Sequence, residues 1–429
     1  MGVRVLVIGG GSGGTILANT LDRRRFEVTV VSDSLDHLFQ PALLYVAFTG
    51  ASPRVMRDER RLLARHVRLV HDAVVSVDLG AQVATTATGE RLEYDRVVLA
   101  TGIRSDPAQI PGLAEVGDQV GDYHSTLARA RRLWGNLEAF SGGTVALGQA
   151  MPICKCPPSP LEGVLLLERY LRRRGLREAT RLVFFTPYPR AYPAAPMDEI
   201  VSPLLAERGI EVMTFFDVDR VDPVTRTISS IEGDAIRADL PVVIPPFAGV
   251  PIAYSPPEVL DESRFVRTDP RTLQVLGVEN AFAIGDGAGL PTSKSGVGAH
   301  LQAKVVAATL GGRATSFDGR THCPFDLADG RGTFVTSSYD APTKKTPPSR
   351  LKHVMKMAFA RLYWASLRGW LDPVFDVYFR ITAPRPPARP SGQPGTPGRP
   401  AVGEPGDPKE PQAAGVTSDP GPLGQSAGR

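Results

Sequence analysis

The chain is poor in cysteine, with three thiols in 429 residues. Three cannot build a disulfide framework, and an odd count leaves at least one unpaired, so chemistry is a better use for them than stapling. Long apolar runs are lacking too. No uninterrupted stretch reaches the roughly 18 residues of a spanning helix, which argues against a transmembrane segment. Neither sign of charge dominates: 49 Lys and Arg against 45 Asp and Glu leave a net of +4, too little to indicate nucleic acid as a partner. The N-terminus lacks the basic, apolar and small-residue succession of a signal peptide, so a cytoplasmic start is expected.

What is present begins with VRVLVI at Val3 to Ile8, an apolar run typical of a strand buried on both faces of a parallel sheet. Gly9-Gly10-Gly11-Ser12-Gly13-Gly14 follows, then a helical pattern from Thr15 to about Arg24. Gly9, Gly11 and Gly14 fit GxGxxG between strand and helix, where side chains would block a pyrophosphate from the backbone N–H groups at the helix start. A second strand, Glu27 to Val31, ends in Ser32-Asp33, the region expected to hold the adenosine ribose. Ser32 takes that place by register and Asp33 lies one step on; Asp33 is alternatively a turn cap. The strand Tyr94 to Thr101 closes in Ala100-Thr101-Gly102, a turn that brings backbone close to a dinucleotide. Another strand ends in Gly285-Asp286 ahead of a helix, Val297 to Leu310, and places a carboxylate where a ribitol hydroxyl could donate to it. Together these motifs point to FAD.

Between them lies a second alternation of strands and helices, which predicts a second Rossmann-like unit. Its first strand, Thr144 to Leu147, runs into GQAMPICKCPPSPLE, Gly148 to Glu162. A second phosphate loop belongs there, and thiols and prolines stand instead, which argues against NAD(P)H. Cys154 and Cys156 lie in this segment, and Cys323 lies in THCPFDLADGRGTFV, with a hairpin around Asp329-Gly330. From Thr343 to Arg380, basic residues alternate with Met355, Met357, Phe359, Leu362, Tyr363, Trp364, Trp370 and Phe379, a composition suited to a helix in the membrane interface and equally to a core or dimer face. From Pro384 to Arg429 proline and glycine dominate without one aromatic residue, and disorder is expected. The fold class is therefore α/β: two Rossmann-like domains of the glutathione-reductase type, a C-terminal membrane-docking helical segment and a disordered tail. The boundaries are 1–120 with 241–315 for FAD, 121–240 for the second Rossmann-like unit, 316–383 for the cysteine hairpin and docking helices, and 384–429 for the tail.

With these pieces assembled, the chain resembles the sulfide:quinone oxidoreductases, a branch of the two-dinucleotide-domain flavoproteins related to flavocytochrome c sulfide dehydrogenase. The resemblance rests on VTVVS followed by LFQPALLYVAFTG, on CPPSPLE, IGDGAGLPTSKSG, FDGRTHCPF and LYWASLRGW, and it covers about Val3 to Asp372. It implies that Cys156 and Cys323 form a redox-active disulfide or sulfur bridge beside the flavin, that Asp286 binds the ribitol, and that Lys294 sits near the flavin pyrimidine edge. Ser32 matches a serine that several members carry in place of the acidic ribose ligand. The C-terminal helices match the region that docks on the membrane and admits quinone.

The implied activity is FAD-dependent oxidation of sulfide to sulfane sulfur or polysulfide, with electrons passed to membrane quinone by a peripheral protein on the cytoplasmic face. Residues 33 to 53 hold no cysteine, so the FAD is expected to be non-covalent. His124-Ser125-Thr126 occupies the place of a further cysteine found in some members. Cys154 is either a resolving thiol or a bystander, and Glu162 either a proton carrier or a surface glutamate early in a helix, the latter being the plainer expectation. Two other readings compete: a type II NADH dehydrogenase and an FAD-binding protein without turnover. Whether the chain forms a homo-oligomer is left open.

Overall fold

The computed structural model describes residues 2–51 and 55–382; the segment expected to be disordered, 384–429, lies outside them. Val3–Ile8 is buried from Val5 onward, because β-branched residues on both faces of a central strand need cover on both sides. It pairs in parallel with Phe26–Ser32 on one side and Arg96–Leu99 on the other. Arg68–His71 and Ala281–Ala283 close the edges of this five-stranded sheet. The strand order places the first strand at the point where the winding reverses, and ligands of doubly wound sheets bind outside that point.

A second parallel sheet repeats the plan. Glu211–Met213, Thr180–Phe185, Gly143–Gln149 and Leu240–Ile244 lie side by side in that order. The last strand carries this sheet past the expected boundary at residue 240. Here the reversal point falls at Gly143–Gln149, so the segment holding Cys154 and Cys156 leaves the sheet where a nucleotide loop would. Helix Ser159–Arg173 begins directly after it, with Leu161, Val164, Leu165 and Leu171 in the core.

The third part is the antiparallel hairpin Thr321–Asp326 with Gly332–Ser337, in which Cys323 faces Val335. Helices Arg350–Ser366 and Asp372–Ile381 follow. Their aromatic stripe divides: Tyr363, Trp364, Phe375 and Phe379 are buried, whereas Leu351, Val354, Leu362, Trp370, Val374 and Val377 are exposed. No described helix is long and apolar enough to cross a membrane.

Candidate active site

The glycine loop is shaped by sterics. A Cβ on Gly14 would stand 2.0 Å from the Gly9 carbonyl oxygen, and one on Gly9, itself at φ +113°, would stand 2.3 Å from that of Ala100, so helix Ser12–Thr20 can start this close to the strand only with glycine at both positions. Gly11 differs, since its Cβ would meet nothing within 4 Å. The helix has no acidic residue in its first turn and no side-chain cap, which leaves its N–H end open to a pyrophosphate. Beneath it, Ser32 is buried and donates to the Ser34 carbonyl at 3.0 Å, while Asp33 is exposed. Gly102 adopts φ +67°, and Thr101 Oγ1 lies 2.9 Å from the Cβ position of Gly287, so the Ala-Thr-Gly and Gly-Asp turns meet. These residues fit a flavin dinucleotide.

Beyond the turn at Gly285–Gly287, Lys294 Nζ donates to the carbonyls of Asp286 at 2.7 Å and Ala288 at 3.2 Å and lies 4.0 Å from the Phe265 ring centroid. Lys155 and Lys294, both half-buried, are joined by an isolated parallel backbone bridge. Burial depresses the pKa of both, and the Asp286 carboxylate opposes the shift. The cysteines converge on the same segment. Cys156 N–H donates to the Lys294 carbonyl at 2.9 Å, and Cys323 Sγ lies 3.8 Å from the Ser293 hydroxyl. Ser295 caps the following helix, Gly296–Leu310, by accepting from Gly298 N–H. Cys156 itself adopts φ +51°, a left-handed conformation that is strained for a side chain other than glycine and recurs at functional sites.

Burial raises the pKa of all three thiols, Cys323 to about 11 and Cys156 well above its usual value, with the neighbouring thiol as the next cause for Cys156. All three are free. Burial therefore favours the neutral thiol over the thiolate at Cys156 and Cys323. Cys154 stands apart from the pair: buried, 3.9 Å from His124 Nδ1 and bonded to the Lys155 carbonyl. Burial lowers the His124 pKa to about 3, so the imidazole is neutral and gives Cys154 no charge partner.

Glu162 is not on the surface, contrary to the plainer sequence expectation. Its position early in the helix turns it inward, and it is 2 % exposed. It accepts from the Asp326 backbone N–H at 2.6 Å and pairs with Lys356 of the C-terminal helix. Burial still raises its pKa, against the pull of Lys356. Tyr45 donates to Asp326 at 3.2 Å, and His353 approaches that carboxylate at 3.3 Å without hydrogen-bond alignment. Sequence reasoning missed Asp326 and did not single out Lys356 within the basic and aromatic stretch 343–380, suited to a membrane interface and equally to a core or dimer face. Spacing along a helix shows which residues share a face, but not which buried acid waits opposite. Ser293 and Ser295 were missed as well, although a serine before Gly-Val-Gly at a helix start is a readable cap signal. A second buried relay was equally hidden: His37 bridges Glu59 at 2.6 Å and Tyr363 at 2.7 Å, and Tyr363 reaches Ser12 of the glycine loop at 2.6 Å.

Comparison with known proteins bears on this geometry. Residues 3–305 match the family described as pyridine nucleotide-disulphide oxidoreductase. The mitochondrial sulfide:quinone oxidoreductase of Mus musculus is 26% identical over 398 residues, covering 86% of this chain and 88% of that one. That of Schizosaccharomyces pombe is 27% identical, covering 87% and 94%. The crystal structure of the sulfide:quinone oxidoreductase from Aquifex aeolicus shares the fold, with a TM-score of 0.77 at 21% identity over 89% of this chain and 95% of that one.

Proposed function

We propose that this chain, which belongs to the pyridine nucleotide-disulphide oxidoreductase family and is an FAD-dependent oxidoreductase of the sulfide:quinone oxidoreductase group, oxidises sulfide through Cys156 and Cys323 and delivers the electrons to membrane quinone. The supporting observation is the convergence of both cysteines on Ser293–Ser295, between the Asp286 turn and the N-terminus of helix Gly296–Leu310. Gly9, Gly11, Gly14, Ser32 or Asp33, Thr101, Gly102 and Asp286 would hold the FAD without a covalent bond. When bound, it supplies a two-electron acceptor for cysteine sulfur and a donor for quinone.

The residues of the chain do the rest. Hydrosulfide attacks a Cys156–Cys323 bridge, breaking one S–S bond and forming another, so that one cysteine becomes a persulfide and the other a thiolate. Lys356 stabilises negative charge on the pair, and Glu162, raised by burial, is the nearby group able to take a proton. Lys294, Lys155 and the helix N-terminus supply positive potential beside the cofactor. The exposed apolar residues of the C-terminal helices, with Arg350, Arg361 and Arg368 among them, would seat the protein on a membrane surface as a peripheral protein. A type II NADH dehydrogenase would need a second glycine-rich phosphate loop after strand Gly143–Gln149, and MPICK, residues 151–155, stands there instead. Gln149 and Tyr188 also hold the 151–155 loop across that sheet end by bonding the carbonyls of Met151 at 3.0 Å and Pro152 at 2.5 Å.

The decisive measurement is anaerobic titration of the purified yellow protein with sulfide and, separately, with NADH while the visible flavin band is followed. Sulfide is expected to bleach it. Bleaching by NADH alone would overturn the reading in favour of a nicotinamide dehydrogenase, and bleaching by neither would leave a flavin-binding protein without this turnover.

A further inference from the structure

The buried relay beside the glycine loop takes no part in the sulfur chemistry. It joins His37 and Glu59, from residues 36–61, to Tyr363 of helix Arg350–Ser366 and to Ser12 in the first turn of helix Ser12–Thr20. The His37 and Glu59 side chains are each 1 % exposed. Thr15 of the same first helix donates to the other Glu59 oxygen at 2.5 Å. A buried acid and imidazole stabilise a fold little more than well-packed apolar residues would, so their presence calls for a reason.

The surroundings tie the C-terminal helix to the glycine loop. Tyr363 stacks on Phe39 with centroids 4.3 Å apart, and Trp364 takes the Arg57 guanidinium over its ring at 4.8 Å. Near the other end of the first helix, Asn19 Nδ2 donates to the Leu367 carbonyl at 2.8 Å. Ser12 and Asn19 lie about two turns apart, so the helix that opens the cofactor site is held at both ends. Over its start there is room for a ligand: Gly11 is exposed, and a Cβ there would meet nothing within 4 Å.

Counting protons gives the relay a direction. Burial raises the Tyr363 pKa, so the hydroxyl keeps its one proton. With Ser12 Oγ at 2.6 Å and His37 Nε2 at 2.7 Å, it donates to one and accepts from the other. Donating inward would leave Nε2 bare, a single proton between Nδ1 and Glu59, and a net negative charge where water is excluded, which is costly. Donating outward puts one proton on Nε2 and another between Nδ1 and Glu59, and the pair carries no net charge. The Ser12 proton is then free to point into the open space at the helix start, where pyrophosphate oxygens can only accept.

We propose that Tyr363, backed by His37 and Glu59, is a positioning residue of the cofactor site: it turns the Ser12 hydroxyl toward the FAD pyrophosphate and so makes retention of FAD depend on the seating of the C-terminal helix. The inference rests on the FAD of the reading above and not on its sulfide or quinone steps. Coupling of this kind is reciprocal: removing the Ser12 hydroxyl loosens the helix, as unseating the helix loosens FAD.

The test follows release of FAD from the loaded, full-length protein after dilution, by recovery of flavin fluorescence, in wild type, Tyr363→Phe, Ser12→Ala and the double variant. Tyr363→Phe keeps the ring on Phe39 and is expected to speed release about 5-fold, the effect of one hydrogen bond. Ser12→Ala is expected to speed it about 10-fold, and the double variant to match Ser12→Ala, because Tyr363 acts on FAD through Ser12. A second reading covers a Tyr363→Phe protein that does not fold: amide exchange of residues 357–367 in loaded Ser12→Ala is expected to rise about 5-fold over wild type. Unchanged release from Tyr363→Phe, effects that multiply in the double variant, or unchanged exchange in Ser12→Ala would overturn the role of Tyr363. Failure of sulfide to bleach the loaded wild type would overturn the sulfide reading instead and would not alter these rates.

Discussion

At the scale of single residues, the two cysteines of the 151–158 loop are separated by one lysine, yet their surroundings differ completely. Cys156 shares its environment with Cys323 and is strained at φ +51°. Cys154 faces a neutral His124. Cys156→Ser and Cys323→Ser should each abolish sulfide bleaching and retain the flavin band, whereas Cys154→Ser should bleach at a rate near that of wild type; equal loss in all three would assign Cys154 to the pair. Glu162 and Lys356 form a buried ion pair, and removing one member strands the other's charge. Lys356→Met alone is expected to destabilise the fold by about 3–5 kcal/mol, and the double variant Glu162→Gln/Lys356→Met to recover much of it. Thermal unfolding of the two variants checks this. The cysteines and Glu162 were legible as candidates because their neighbouring motifs are local. Their partners, Ser293, Asp326 and Lys356, were not, because they come from distant parts of the chain: Ser293 lies 30 positions from Cys323, and Asp326 and Lys356 lie 164 and 194 positions from Glu162.

At the scale of elements, the strand-loop-helix at the N-terminus is written plainly in the sequence, since both its apolar run and its glycines are contiguous. The structure adds which glycine serves which purpose. Gly14→Ala should fail to fold normally, because its methyl group would collide with the Gly9 carbonyl. Gly11→Ala should fold and lose FAD, as its methyl group enters only the space over the open helix end. The ratio of flavin to protein absorbance, alongside circular dichroism, separates the two outcomes. The C-terminal helices were harder to read. Their aromatic residues are continuous in sequence, but only part of the stripe is free, because Tyr363 hydrogen-bonds Ser12 and His37 while Trp370 is 69 % exposed. Trp370→Glu with Val374→Glu should reduce sedimentation with anionic vesicles without changing sulfide bleaching. Unaltered sedimentation would remove these helices from the membrane contact.

For the whole molecule, three buried histidines predict an acid limit. Burial lowers His124 to about 3 and His300 and His322 to about 4, against about 6.5 in the unfolded chain. The native state therefore binds fewer protons than the unfolded one below pH 6.5. Stability is full above that value and falls as pH drops toward 4, by about 1.4 kcal/mol per unit for each histidine. Urea midpoints at pH 7 and pH 5 should differ in that direction, and a flat profile would contradict neutral burial of the three rings. By itself the sequence determined the two-sheet α/β plan, the single phosphate loop and the two thiol-bearing segments, because strand periodicity, glycine spacing and proline are properties of neighbouring residues. Only the tertiary structure decided that Cys156 and Cys323 converge on Ser293–Ser295, that Glu162 is buried against Lys356, and that Tyr363 meets Ser12. Those outcomes depend on which parts of a folded chain exclude water together, and no local pattern encodes that.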